Sequence, residues 1–216
     1  MSTPATPAAA QDRPRRQPRM PIEVRREQVL DAALRLILRR GYPAATMEAV
    51  AREARLAKPR VYTAYPGRGP LLLALLEREQ RRAITQLADA MPAFTEDADF
   101  DTTLIAAATN LLTAVTVHPD PWKLLVLPTD DAPAEVRGHV QARGEFALDR
   151  LRALLDWGRG HRPGLARLDL DLVARTLLAA GEDAVRQVLT RPEQYTAARY
   201  GDFLRDLLTL WSPPTA

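Results

Sequence analysis

The chain has 216 residues and no cysteine, which removes disulfide frameworks, thiolate zinc sites and cysteine nucleophiles together. Histidine is nearly as scarce, at 3, and none stands in an HExxH or other paired-ligand spacing. A GxSxG nucleophile turn and a phosphate-binding glycine loop are missing too, and the fragment Gly67-Arg68-Gly69-Pro70 is too brief to cradle a phosphate. No catalytic or metal-ligating constellation remains, so neither an enzyme nor a cofactor nor a metal site is expected. The longest aliphatic run, 71–76, is far too short to cross a bilayer. The first residues carry arginines and prolines without an apolar stretch of signal-peptide length. The expectation is a cytoplasmic protein with no membrane partner. Period-2 alternation is absent as well, which argues against strands and for an all-α fold.

What is present is unevenly distributed. Hydrophobic residues make up 46% of the chain, enough for a core, and the length suits a small module joined to a larger one. The net charge of +3 conceals a split: residues 1–82 carry 17 Lys and Arg against 8 Asp and Glu, and the remainder carries 13 against 19. A basic head on an acidic body suits a polyanionic partner, because phosphate neutralisation supplies most non-specific nucleic-acid affinity. A solvated arginine-rich surface would give the same composition, so motifs must decide.

Residues 1–21 hold five prolines together with Arg13, Arg15, Arg16 and Arg19. They cannot bury enough apolar surface to offset their ordering entropy, and read as a disordered basic arm. From 24 to 40, Val29, Leu30, Ala33, Leu36 and Ile37 recur at helical spacing, with Gly41 as the stop. Thr46 is placed to cap a short helix over 47–54. After the turn 55–57, a third helix covers 58–65 with Pro59 in its first turn. A fourth, longer helix is expected from 71 to about 90, and the body reads as five more, near 102–117, 122–127, 134–157, 170–189 and 194–211. The expectation is about nine helices: a helix-turn-helix head over 22–70 and a helical body over 71–212, joined by the connecting helix 71–90.

Two short helices joined by a three-residue turn, with a supporting helix before and a long one after, make the layout of a helix-turn-helix reader. The run Thr46-Met-Glu-Ala-Val-Ala-Arg-Glu-Ala, then Lys58-Pro-Arg-Val-Tyr-Thr-Ala-Tyr-Pro, then Arg68-x-x-Leu71 resembles the signature of the TetR family of transcriptional regulators. Over about 25–85 the match is made at some eight positions; elsewhere it rests on length and helix count. The pattern departs from the family at Arg55, where glycine is usual, and at Ala57, where Ser or Thr is usual. Both are tolerable: about 1–2 kcal/mol for a left-handed non-glycine residue and about 0.5–2 kcal/mol for a lost hydroxyl cap.

The resemblance implies a regulator of double-stranded operator DNA, a repressor released from a palindrome by a small lipophilic effector, acting as a homodimer. The N-terminal residues of the third helix, Lys58, Pro59 and Arg60, would then reach base edges. Tyr62 would meet a phosphate, Tyr65 would plug the head core with a phosphate contact as the minor option, and Thr46 and Arg68 would offer helix starts to phosphate oxygens. Arg55 would add a phosphate contact or simply be solvated. An effector cavity in the body would be lined from Phe100, Leu104, Leu111, Trp122, Leu125, Phe146 and Trp157, with Asn110, His118 or His139 as polar anchors. The last two helices, through Leu177, Gly181, Ala184, Val188, Phe203, Leu207 and Trp211, would pair with their copies. An architectural DNA-binding protein without an effector is the alternative, and a helical enzyme the remote one.

Overall fold

The structure is a computed structural model that describes residues 21–93, 95, 97–127, 133 and 143–210. The expected basic arm up to residue 20, the stretch 134–142 with His139, and Trp211 lie outside the described residues. Among the described residues there are nine α-helices, two short 3-10 turns and no strand. The helices are α1 (Ile22–Arg40), α2 (Met47–Glu53), α3 (Lys58–Ala64), α4 (Arg68–Ala90), α5 (Phe100–Val117), α6 (Pro119–Val126), α7 (Arg143–Gly158), α8 (Leu170–Thr190) and α9 (Ala197–Leu210).

In α1 the spacing puts Val29, Ala33, Leu36 and Ile37 on the buried face. The helix stops at Gly41, whose φ of 77° suits a residue without a Cβ. At two of the boundaries that differ from the sequence-based expectation, proline explains the shift. Helix α4 begins at Arg68, not 71, because Pro70 falls in its first turn, where the missing N–H leaves no hydrogen bond unmade. The expected head–body boundary at 70/71 therefore lies inside a continuous helix. Helix α6 likewise begins at Pro119 and not at 122. Farther on, α9 starts at Ala197 because Thr196 Oγ1 accepts from the Arg199 N–H at 3.2 Å.

The head core, with Val29, Val50, Val61, Tyr42 and Leu71 at its centre, extends into α4 through Ala83 and into α6 through Leu124 and Leu125. Helix α5 is the most apolar, with a mean hydropathy of 1.3 over its 18 residues. It is wrapped by α4, α6, α8 and α9, so its apolar surface serves the body's interior. At the far end Phe100 and Trp157 share a second cluster, and Gly158 is required there: a Cβ would stand 2.3 Å from the Phe100 ring.

The joint between α1 and α4 contains buried charge. Arg78, 4% exposed, donates from Nη1 to Glu27 at 2.9 Å and Asp31 at 2.7 Å, and from Nε to Glu79 at 2.7 Å. Glu79 is fully buried and also accepts from Arg82 at 3.2 Å. Removing one partner of such a cluster strands the other in low dielectric. We therefore expect Arg78→Met to lower the unfolding free energy by about 3 kcal/mol in urea titration, the low end for a stranded buried charge because Arg82 still faces Glu79. The double variant Arg78→Met, Glu79→Leu should recover part of that loss.

Candidate nucleic-acid interface and adjoining cavity

Side chains from α1 hold both α2 and α3. Gln28 Nε2 donates to the Ala54 carbonyl at 2.8 Å, at the end of α2, and Arg35 and Arg39 bind the two oxygens of Glu53 at 2.9 and 2.7 Å. Those two hydrogen bonds hold the Glu53 carboxyl below its ordinary range. Arg26 donates to the Ala64 carbonyl at the end of α3 and lies 6.0 Å from the Tyr65 ring centroid. At the start of α2, Thr46 Oγ1 accepts from the Ala49 N–H at 3.1 Å.

The turn between α2 and α3 is a Schellman motif: the Leu56 N–H reaches the Ala51 carbonyl at 2.9 Å and the Arg55 N–H reaches that of Arg52 at 3.1 Å. Its left-handed position, normally glycine, is Arg55 with φ 54°. Leu56 folds back against the head core, which holds the strained residue in place. The result is an exposed edge of Arg52, Arg55, Lys58, Pro59, Arg60 and Tyr62, with Val61 and Ala64 turned inward.

Tyr65 takes the core position expected of it, whereas Arg68 and Lys58 do not stand free at the edge. Tyr65 is 8% exposed, a core plug, and burial pushes its hydroxyl above the usual tyrosine range. The Arg68 guanidinium donates to the carbonyls of Ala45 at 3.1 Å and Tyr42 at 2.8 Å, so it clamps α4 to the turn before α2 rather than pointing outward. Lys58 Nζ is held in an ion pair by Glu48 and lies 5.8 Å from the Tyr62 ring centroid. The donated hydrogen bond lowers the Glu48 carboxyl and raises the Lys58 ammonium.

Behind the head, α4 to α9 enclose a cavity of about 280 Å³. Leu104, Leu111, Trp122, Leu125 and Phe146 line it as expected, joined by Ile84 and Leu87 of α4, Leu151 and Leu154 of α7, Leu177 and Gly181 of α8, and Tyr200, Phe203 and Leu204 of α9. Trp122 is held in the wall by a 2.6 Å hydrogen bond from its indole N–H to Gln86. Four expected residues are not in the wall: Phe100 and Trp157 pack in the second cluster, Asn110 donates to the Ala90 carbonyl at 3.1 Å, and His118 is exposed between α5 and α6. The polar side chains at the cavity are instead Gln80, Arg150, Glu182 and Tyr200.

Of the residues expected on a pairing face, Ala184 and Val188 are buried against α5 in a third cluster. Leu177 and Leu207 are half-buried, and Phe203 is 56% exposed. Beyond them, Leu172 at 61% and Leu210 at 80% present apolar surface to the outside.

An all-α protein with a helix-turn-helix head and a hollow helical body is what this geometry defines. Residues 29–75 match the family model of bacterial regulatory proteins of the tetR family. The chain is 27% identical over 173 residues to the HTH-type transcriptional activator FasR of Mycolicibacterium smegmatis, covering 80% of this chain and 75% of that one. It superposes on a TetR-like transcriptional regulator from Rhodococcus sp. RHA1 with a TM-score of 0.67 and 28% identity, over 88% of this chain and 96% of that one. The SmeT–triclosan complex shares the fold at a TM-score of 0.66 and 22% identity, over 89% and 96% of the two chains. The head thus carries the helix-turn-helix of tetR-family bacterial regulatory proteins, and the described chain as a whole shares the fold of TetR-like transcriptional regulators.

Arg55→Gly separates the two roles open to this residue. Relief of the left-handed strain, about 1–2 kcal/mol, outweighs the added chain entropy of glycine, roughly 0.5–1 kcal/mol. The variant should therefore unfold at slightly higher urea, while its duplex affinity falls if the guanidinium meets a phosphate.

Proposed function

We propose that the protein acts as a homodimeric repressor at a palindromic operator and is released when a small lipophilic ligand occupies the cavity. The observation that carries this reading is that head and cavity share material. Ala83 and Leu125 belong to the head core and at the same time line the cavity. Helix α4 carries Arg68 against the helix-turn-helix at one end and Ile84 and Leu87 against the cavity at the other, with no break between. A ligand that moves the wall has to move the head.

On the exposed edge, Arg60 suits a bidentate contact to guanine, and the Tyr62 hydroxyl suits a phosphate oxygen. Thr46 and Arg55 stand beside them, and Pro59 sets the first turn of the reading helix. Arg68 serves as the clamp that fixes α4 against that edge. Two such edges related by a two-fold axis would lie about 34–36 Å apart, one turn of the double helix. The partner surface is the outer side of α8 and α9, where Leu172, Phe203 and Leu210 leave apolar area uncovered. An added Cβ at Gly181 meets nothing within the protomer, which leaves room for close approach there.

The cavity supplies apolar walls with few polar groups, which suits a lipophilic ligand and speaks against an architectural protein without an effector. The neighbour SmeT is described in complex with triclosan, a compound of that character. The curated relative FasR is described as an activator; release of an operator can serve either sign of control, and repression is the reading proposed here.

Selection from randomised duplexes should return a palindrome, and Arg60→Ala should relax one symmetric position at a cost of about 1–3 kcal/mol. No palindromic enrichment would contradict the reading. For the dimer, Leu172→Glu places charge on the outer side of α8 without touching the cavity. Sedimentation should then show monomers at concentrations where the unaltered protein is dimeric; an undisturbed dimer would move the interface elsewhere.

A further inference from the structure

Two cations stand at the start of α3, and their surroundings differ. Arg60 is exposed and has no carboxylate partner among the described residues. Lys58 is held by Glu48 from the first turn of α2, with the Tyr62 ring beside its ammonium. The contact joins the two helices of the reading motif at its exposed edge. Both side chains keep more than half of their surface in water, 54% for Lys58 and 55% for Glu48, so the pair adds little to the fold and opens readily. Of the ion pairs in the head, those of Arg35, Arg39 and Arg78 brace α1 against α2 or α4. The Glu48–Lys58 pair instead takes a positive charge from the edge that would meet DNA.

We propose that Glu48 is a specificity-determining residue that acts through Lys58: it competes with DNA for the ammonium and lowers affinity for duplex irrespective of sequence. The proposal rests on the DNA-binding reading of this edge. A phosphate that meets Lys58 does so against the neutralising charge of the Glu48 carboxylate, so a random duplex gains less from this cation than the sequence promises. Arg60, which has no such competitor, keeps its full capacity for a base edge. The balance between the two residues therefore favours base contact over backbone contact. An exposed ammonium on a flexible four-carbon stem is strongly hydrated and easily redirected, which suits an exchangeable contact better than a guanidinium fork would.

The test is fluorescence anisotropy with a duplex of randomised sequence, comparing the unaltered full chain, Glu48→Gln, Lys58→Gln and the double variant between about 50 and 200 mM salt. At the low-salt end Glu48→Gln should bind about 1.5- to 5-fold more tightly, the range expected for releasing one exposed ion pair. Its log–log salt slope should steepen by about 0.9, the increment for one additional phosphate neutralised. In the Lys58→Gln background the same change at residue 48 should have no effect. Equal tightening in that background would assign the effect to diffuse repulsion by the carboxylate and overturn the proposal, as would unchanged or weaker binding by Glu48→Gln alone. Failure of the unaltered protein to bind any duplex at low salt would overturn the interface itself, a result distinct from these.

Discussion

The arrangement depends on the buried Arg78 cluster between α1 and α4. A guanidinium enclosed with Glu79 in the interior is a poor way to gain stability, because taking both charges out of water cancels much of their attraction. It is a good way to fix one geometry. Arg78 has rigidly placed donors, and Glu27 and Asp31 lie one helical turn apart on α1, so meeting both carboxylates restrains the rotation and translation of α4 along α1. An all-apolar joint could slide by a fraction of a turn at little cost. Since α1 also holds the ends of α2 and α3 through Gln28, Glu53 and Arg26, the position of α4 is transmitted to the reading helix through polar contacts that do not slip.

The body is built on a different principle. Its helices meet through apolar side chains around a space that the protomer leaves empty, and α5 lies at the centre with both the cavity and the α8–α9 face against it. Of its residues 28% are buried, and Leu104, Ala108 and Leu111 turn toward the cavity. On the proposed reading, a ligand entering there would replace missing packing rather than break existing contacts. The proposed coupling between body and head would run through the shared Ala83 and Leu125 and the unbroken α4.

Much of the head was legible in the sequence because its signals are local. A hydroxyl at Thr46, a glycine at 41, a proline at 59 and apolar residues three and four apart each fix a boundary or a face by themselves. Arg55 was recognised as an irregular choice, and the left-handed φ bears that out. What escaped are contacts between residues distant in the chain. Arg68 reaches backbone carbonyls of the turn before α2, and the Arg78 cluster and the Glu48–Lys58 pair join charged residues on different helices; a charge pattern along one helix does not say which partner it will meet. The cavity was half legible for the same reason. Leu104, Leu111 and Trp122 stand on helical faces that must turn inward, yet whether an inward face meets a neighbour, as Phe100 does, or an empty space, as Leu104 does, depends on the packing of six helices at once.

The central claim is a free-energy coupling between cavity and reading edge, and coupling is reciprocal. The direct test takes a lipophilic compound that stabilises the protein in thermal shift and titrates it calorimetrically into the free protein and into the protein saturated with its selected palindrome. The account predicts weaker binding to the operator complex, by the same factor by which the compound weakens operator binding, typically about 5- to 150-fold. Equal affinities for the two forms would contradict it, however tightly the compound binds.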